Sequence, residues 1–356
     1  MYANFDAFRV NVISSQNYRR YEFNPSTLGA GFLTPSQKIL ITGATGFIGQ
    51  ELLQQLIAKK NTDLTVLVRS QSQEVPSEVA QVIINSNVTW ADAPFPEGVT
   101  TLIHLAGRAH VLKETSSSPL DRYRADNVEF TLNLARKALA TGVKRFIFIS
   151  SIGVNGPSTT NTPFDESSIP APKADYAISK WEAEQGLRNL LKGTEMELVI
   201  VRPPLVYAGH APGNFRRLLK LVATGLPLPL ASVDNRRSMV SLGNLVDFIS
   251  LCVEHPAAAN ETFIISDGVD LSTPQIVERL AEGMGKRISL VPMPLGLMRW
   301  GARVAGLGGA FEQLCGSLVV DSSKACNLLG WRAPLGADQA LINAGRGFKT
   351  MHAKAG

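Results

Sequence analysis

The sequence contains little that would place it in a specialised class of proteins. It has only three cysteines, Cys252, Cys315 and Cys326, and none of their spacings is typical of a metal site or a redox pair. We therefore expect free thiols in a reducing cytosol, a cytoplasmic location and no metal site. No window of about 18 uncharged apolar residues and no basic segment leading into an apolar one is present, so neither a membrane span nor a secretory signal is predicted.

Blocks of like charge are also missing. The 35 Lys and Arg residues and the 30 Asp and Glu residues give a net charge of +5 and are scattered along the chain. This mildly basic distribution fits a small anionic ligand and gives no reason to expect a nucleic-acid partner. A length of 356 residues with 45% apolar residues is comfortable for two domains with a large core.

A glycine-rich turn is the feature around which the chain is organised. The apolar, β-branched run 38–42 predicts a buried strand, GATGFIG at 43–49 interrupts it, and leucines at helical spacing follow. Such glycines permit a tight turn and close approach of a phosphate, which the helix N-terminus attracts. The triplet alone fits an ordinary strand-to-helix turn equally well, so the rest of the chain decides.

The second predicted strand, residues 64–70, ends with Arg69 and Ser70, twenty residues beyond Gly49. An acidic residue near this spacing would bond the ribose 2′-hydroxyl of NAD, whereas an arginine suits a 2′-phosphate. The sequence therefore favours NADP(H), with NAD(H) as the alternative. A solvated arginine on a loop is the simpler explanation that remains open.

Strands and helices alternate over most of the chain. Further strands are predicted at 82–84, 101–107, 144–151, 197–201 and 261–266, with helices near 126–141, 176–184, 214–224, 244–253 and 274–283. This alternation predicts an α/β fold, a Rossmann-type doubly wound parallel sheet with a smaller C-terminal substrate-binding lobe. We expect residues 1–37 to form a poorly ordered extension. The Rossmann domain would span 38–206 and return near 243–268, and the lobe would span 207–242 and 269–350.

The C-terminal part offers one ambiguous element. Residues 295–310 are apolar, with Arg299 and Arg303 on one face, which predicts a single amphipathic helix. It would either cover the second domain, the commoner arrangement, or lie on a membrane surface. The last helix is predicted to begin near Ser322.

Three residues with complementary chemistry follow the glycine turn. Ser151 ends a predicted strand, and Tyr176 and Lys180 are four residues apart, so they share one helix face. A lysine ammonium beside a phenol is expected to lower the tyrosine pKa, so that Tyr176 can exchange a proton with a substrate oxygen that Ser151 holds. Tyr-x-x-x-Lys is common by chance, but after a strand-end serine and a glycine turn it indicates a catalytic set.

These motifs, with HLAG at 104–107, DNV at 126–128, YAISK at 176–180 and RPPLVY at 202–207, make the chain resemble the extended short-chain dehydrogenase/reductase family. The similarity runs from Lys38 to about Ala344. Within this family, the chain is most similar to nucleotide-sugar epimerases, dehydratases and 4-ketoreductases. This resemblance implies that Ser151, Tyr176 and Lys180 are the catalytic residues. The cofactor-binding residues that the glycine motif and the resemblance imply are Gly43, Thr45, Gly46, Phe47, Ile48, Gly49, Arg69, Ser70, Leu105, Ala106, Gly107, Asn127, Tyr176, Lys180, Pro203 and Val206.

The resemblance also implies the substrate and the reaction. Ser151, Tyr176, Asn214 and Arg237 would bind a UDP-sugar, with Arg237 on the diphosphate; a surface ion pair is the alternative for that arginine. A 4-ketoreductase of a UDP-4-keto-6-deoxy-N-acetylhexosamine for surface polysaccharides is expected. A 4-epimerase with tightly bound NAD and a dinucleotide-binding regulator without turnover remain alternatives. A homodimer through helices near 127–141 and 176–192 is implied as well.

Two departures from the family pattern stand out. Residues 82–90 lack the acid that relatives usually carry after the third strand to meet the adenine. The second diphosphate-binding arginine of the epimerases has no clear counterpart before Asp321.

Overall fold

The computed structural model describes residues 37–59, 62–84, 95–108, 118–306 and 308–353. The extension predicted for residues 1–37 lies outside these ranges except for Gln37, which begins the first strand. Most of the stretch that lacks the adenine-binding acid, residues 85–90, lies outside them as well.

A parallel sheet forms the centre of the described fold. The strands are β1 Gln37–Thr42, β2 Thr62–Val68, β3 Ala80–Ile83, β4 Thr101–His104, β5 Arg145–Ile149, β6 Glu197–Arg202, β7 Leu205–Tyr207, β8 Met239–Ser241 and β9 Thr262–Ile264. The sheet of seven strands has the order β3-β2-β1-β4-β5-β6-β9, and every neighbouring pair is parallel. Strand order reverses between β1 and β4, so the ligand crevice of a doubly wound sheet is expected at their carboxyl ends.

Helices cover both faces of this sheet. They are α1 Phe47–Ile57, α2 Pro119–Tyr123, α3 Phe130–Ala140, α4 Asp175–Leu191, α5 Gly213–Thr224, α6 Leu242–Glu254, α7 Thr273–Met284, α8 Leu295–Val304, α9 Gly308–Cys315, α10 Ser323–Leu329 and α11 Ala337–Ala353. Ile39 and Ile41 of β1 pack with α1 and α6, while Leu40 faces α3 and α4. Successive strand residues point to opposite faces, which explains why β1 is apolar at every one of these positions.

A second hydrophobic core lies within residues 207–348. It joins α5, α7 and α11, with the ring of Phe215, the side chains of Leu280 and Leu341, and Tyr207 of β7 among its buried members. The two-stranded pair β7–β8 links this core to the end of β6. The interpretation of residues 207–242 and 269–350 as a separate lobe stays a prediction, since Leu329 of α10 packs with the sheet.

Two helix predictions for the C-terminal part were wrong. The single helix predicted over 295–310 is two helices, α8 and α9, because Gly306 adopts a left-handed φ of 69° after the C-cap of α8. The helix near Ser322 is not the last one, since Gly330 closes α10 in the same way, with φ of 66°, and α11 follows. None of the helices in the described ranges is long and apolar enough to cross a membrane.

Candidate functional site

The glycine turn has the geometry that phosphate binding requires. Gly43 adopts a φ of 74°, its carbonyl accepts from Gly46 N at 3.0 Å, and α1 begins at Phe47. No side chain caps the helix, so the N–H groups of Phe47, Ile48 and Gly49 point out of its first turn without intrahelical partners. Thr45 and Gly46 are exposed residues, which leaves the approach to these groups open.

Packing leaves no room for a side chain at two of these glycines. A Cβ on Gly49 would lie 2.1 Å from the Gly43 carbonyl oxygen, and a Cβ on Gly43 would lie 2.7 Å from Ala106 N. Neither distance is sterically possible, because the obstructing atoms belong to the backbone. The turn therefore needs glycine at 43 and 49 to fit between α1 and the end of β4.

A buried histidine joins the end of β4 to its neighbours. Thr42 Oγ1 lies 2.6 Å from His104 Nδ1 and accepts from Ala106 N, while His104 Nε2 lies 2.8 Å from Thr131 Oγ1, whose hydroxyl donates to Asn127 O. Because the Thr131 proton is used, Nε2 donates and Nδ1 accepts. Burial, with the nearby Lys180 charge, holds the pKa of His104 well below its usual range, so the ring is neutral.

Asn127 lies on a π-helical turn, Arg124–Glu129, between α2 and α3. Its amide nitrogen donates to Ser179 Oγ at 2.9 Å, and its oxygen accepts from Arg108 N at 2.7 Å. A Cβ on Gly107 would approach Asn127 Oδ1 to 3.3 Å and Lys180 Nζ to 3.1 Å. The predicted residues Gly107, Asn127 and Lys180 are therefore neighbours.

Two of the predicted catalytic residues, Ser151 and Lys180, lie at the carboxyl end of β5, and Tyr176 stands in the adjoining first turn of α4. Ser151 lies two residues after this strand and caps a short 3₁₀ turn, its Oγ accepting from Gly153 N at 3.1 Å. A Cβ on Gly153 would touch both Ser151 Oγ, at 3.4 Å, and Ala177 Cβ, at 3.2 Å, so this turn adjoins the first turn of α4. Tyr176 and Lys180 stand on that helix.

The expected effect of Lys180 on Tyr176 was wrong for this structure. Burial, aided by the neighbouring Tyr123 ring, raises the pKa of Tyr176 to about 12. Lys180 Nζ instead donates to Ile149 O at 2.9 Å and lies 4.6 Å from the centroid of the Phe148 ring. Burial lowers the pKa of Lys180 to about 8. Desolvation therefore sets the direction of the shift, and Tyr176 is a protonated phenol at neutral pH.

A buried ion pair behind these residues was missed from the sequence. Glu184 of α4 accepts from Arg202 Nε at 2.9 Å and Nη2 at 2.5 Å, and also from Ser150 Oγ at 2.5 Å. Arg202 Nη1 donates to Asn155 Oδ1 at 3.1 Å. Glu184 lies eight residues after Tyr176 on the same face of α4, and this helical spacing was the signal available in the sequence.

The remaining predicted cofactor residues lie in or directly after strands. Leu105 N donates to Thr42 O at 3.1 Å, and the Pro203 carbonyl accepts from Ile152 N at 3.0 Å. Val206 lies in β7, half-buried against the core of the sheet. Arg69 and Ser70 are exposed one and two residues after β2.

The two predicted diphosphate-binding residues lie beside α9. Asn214, in the first turn of α5, contacts Gln313, and Arg237 Nη1 donates to Gly316 O at 2.9 Å. Burial lowers the pKa of the Arg237 guanidinium from its usual value. Neither residue contacts Ser151 or Tyr176 directly. In the described part of the chain, no group of His, Cys, Asp or Glu side chains is arranged to hold a metal ion.

Comparison with known proteins agrees with this geometry. The profile of the NAD dependent epimerase/dehydratase family matches residues 39–266. A Vibrio cholerae protein named UDP-glucose 4-epimerase is 40% identical over 300 residues, covering 84% of this chain and 91% of that protein. An Escherichia coli O157:H7 protein, N-acetyl-alpha-D-glucosaminyl-diphospho-ditrans,octacis-undecaprenol 4-epimerase, is 29% identical over 333 residues, covering 90% of this chain and 97% of that protein.

A solved structure supports the fold. The UDP-glucuronic acid 4-epimerase from Bacillus cereus in complex with NAD matches with a TM-score of 0.71 and 18% identity, covering 89% of this chain and all of that one. The uncapped start of α1, the glycine-lined turn and the small residues after β4 fit a dinucleotide in the crevice at the switch point. The chain therefore belongs to the NAD dependent epimerase/dehydratase family, within the extended short-chain dehydrogenases/reductases.

Proposed function

We propose that this protein is an NAD(P)-dependent oxidoreductase that acts at C4 of a UDP-sugar. The observation that carries the proposal is the placement of Ser151 and Lys180 at the carboxyl end of β5, with Lys180 beside Gly107 and Tyr176 in the adjoining first turn of α4. A nicotinamide would supply or accept the hydride, which side chains cannot do alone. Ser151 Oγ and Tyr176 Oη would hold the reacting sugar oxygen, and Tyr176 would transfer its proton.

More specifically, we propose reduction of a UDP-4-keto-6-deoxy-N-acetylhexosamine by NADPH. Arg69 is exposed directly after β2 and makes no hydrogen bond or ion pair with any described residue, so its guanidinium is available to donate to the oxygens of a 2′-phosphate. The pKa of Tyr176, near 12, keeps the phenol protonated at neutral pH. A protonated phenol can donate to a ketone oxygen, a step that a reductase shares with the second half of an epimerase cycle.

Two features support a UDP-sugar in the C-terminal region. Arg237 is partly buried and can form two parallel hydrogen bonds to diphosphate oxygens. Asn214 reaches the same helix, α9, from the start of α5. We retain a homodimer through residues 127–141 and 176–192 as part of the proposal.

A 4-epimerase is the second candidate, and the 40% identical Vibrio cholerae relative carries that name. An epimerase returns its hydride to the same sugar, so it can keep one NAD permanently bound. The name of the Escherichia coli relative points to a second substrate class for a 4-epimerase, a sugar linked through a diphosphate to a polyprenol. A regulator without turnover would have no use for the Tyr176 and Lys180 pair.

Cofactor exchange separates the two reactions. For the reductase, we expect the purified protein to be largely free of nucleotide, to bind NADPH more tightly than NADH, and to oxidise NADPH stoichiometrically with the 4-keto sugar. Arg69→Asp should reverse the preference by about 1.5–3 kcal/mol, the value of a charge-assisted hydrogen bond. Arg332→Asp, at another exposed arginine, is the matched control and should leave the preference unchanged.

The opposite result would favour the epimerase. Stoichiometric NAD in the purified protein, with interconversion of UDP-glucose and UDP-galactose without added cofactor, would overturn the reductase proposal. Absence of turnover with either substrate, despite dinucleotide binding, would favour the regulator.

A further inference from the structure

An exposed apolar stripe runs along α8. Leu297, Trp300 and Val304 are 55%, 65% and 72% exposed, respectively, and their spacing of three and four residues places them on one side of the helix. Met298, on the opposite side, packs against the second hydrophobic core. The helix is therefore attached to the protein by one face and presents large apolar side chains to solvent on the other. Such patches in a stable protein mark interaction surfaces.

The charge around the stripe has one sign. The 29 residues from Gly283 to Phe311 contain no Asp or Glu, and they carry four basic residues. These are Lys286, Arg287, Arg299 and Arg303. Arg299 pairs with Glu312, just beyond this segment, at 3.3 Å. Arg303 is exposed in the last turn of α8 and follows the stripe. The complementary surface must therefore be apolar and negatively charged.

We propose that the stripe of α8 lies on an anionic membrane surface. Leucine, valine and tryptophan side chains insert at the boundary between headgroups and acyl chains, where tryptophan is favoured, while flanking arginines reach lipid phosphates. The helix has ten residues and no acid, so it lies in the interface plane instead of crossing it. Trp300 within the stripe and Arg303 at its end suit the boundary between acyl chains and phosphates, whereas Arg299 is already paired with Glu312.

The position of α8 connects this surface to the candidate substrate residues. Arg299 contacts Glu312 and lies 5.8 Å from the centroid of the Phe311 ring, both on α9. The same short helix contacts Asn214 through Gln313 and leads to Gly316, which accepts from Arg237. Docking concerns where the protein lies and not which reaction it performs, so it can be tested without substrate and independently of the proposed function.

Vesicle sedimentation with the full chain tests the proposal. We expect binding to vesicles of phosphatidylglycerol and phosphatidylethanolamine, little binding to phosphatidylcholine alone, and weaker binding at high salt. The triple variant Leu297→Ser/Trp300→Ser/Val304→Ser should bind anionic vesicles at least about tenfold more weakly, because it loses its insertable area. Ile169→Ser, which removes an exposed isoleucine elsewhere, should bind like the unaltered protein.

A charge variant keeps the test valid if the triple variant folds poorly. Arg303→Glu leaves the apolar stripe intact and should weaken binding to anionic vesicles by about fivefold to tenfold, with an unchanged melting temperature. Failure of the unaltered protein to sediment with anionic vesicles would overturn the proposal. Equal binding by Arg303→Glu or by a folded triple variant would do so as well. If the unaltered protein did not bind vesicles but formed concentration-dependent dimers, and the triple variant alone did not form them, the stripe would be a contact between two copies of the chain.

Discussion

The buried pair of Glu184 and Arg202 allows a quantitative test of how the site is held. Glu184→Ala would leave the Arg202 guanidinium buried without its counter-charge and would remove the acceptor of Ser150 Oγ. Loss of one partner of a buried, hydrogen-bonded pair costs about 3–5 kcal/mol. That is a large part of a total stability of about 5–15 kcal/mol.

The exposed pair of Arg279 and Asp338 is a suitable control. Its shortest N–O distance is 2.6 Å, close to the 2.5 Å of the buried pair, but both partners are exposed to solvent. Asp338→Ala should therefore cost less than about 1 kcal/mol. Glu184→Gln keeps one oxygen acceptor and should fall between the two alanine variants.

Urea unfolding at pH 7, followed by far-UV circular dichroism and by tryptophan fluorescence, measures these differences. The slopes of the transitions should be similar, so that the midpoints report stability. The reasoning would be refuted if Glu184→Ala lowered the unfolding free energy no more than Asp338→Ala. The pair would then be a solvated contact and not a support for Ser150 and α4.

Three further perturbations test the site chemistry. Tyr176→Phe should lower turnover by about 10²–10⁴-fold while dinucleotide affinity, measured by fluorescence titration, stays nearly constant, because only the proton donor is lost; retained turnover would exclude Tyr176 from proton transfer. The Lys180 ammonium is lost as pH rises through its pKa of about 8, so kcat/KM for ketone reduction should decline above this pH. An identical decline in Lys180→Met would mean that another group titrates. The pKa of buried His104 lies below its unfolded value, so stability is retained above about pH 6.5 and lost below it, by up to about 1.4 kcal/mol per pH unit, as the unfolded chain takes up the proton. In His104→Gln, denaturant melts between pH 6.5 and 5.5 should show a smaller loss, and an unchanged pH dependence would count against a neutral, buried ring.

Local patterns in the sequence predicted most of the fold. β1 and α1 are apolar at periods that a buried strand and an amphipathic helix explain, and the turn Gly43–Gly46 separates them. Strong local signals of this kind also predicted β4, β5, β6 and α4 close to their observed positions. Most predicted ends lie within four residues of the observed ones, but α4 continues seven residues beyond its predicted end at residue 184. The last turn or strand pair depends on neighbours that the sequence does not identify.

Long-range packing accounts for what was missed. The helix predicted over 295–310 has a continuous apolar pattern, and among the described residues the left-handed backbone at Gly306 marks the end of α8. The pKa of Tyr176 was predicted in the wrong direction because spacing shows which residues share a face but not how far a side chain is desolvated. Lys180 found its partner in the carbonyl of Ile149, thirty-one residues away, and no helical pattern predicts that contact.

The π-helical turn at Arg124–Glu129 has a consequence for how this helix tolerates length changes. A π turn holds one residue more than an α turn. The position of the Asn127 side chain therefore depends on this extra residue as well as on the residue type at 127. Deleting Ala125 would let the segment close into an α-helix and withdraw the amide from Ser179, while α3 kept its packing. The same deletion within α3 would rotate every later side chain by about 100° out of the core. The chain thus has one position in this helix where the loss of a single residue would impair the site and spare the fold.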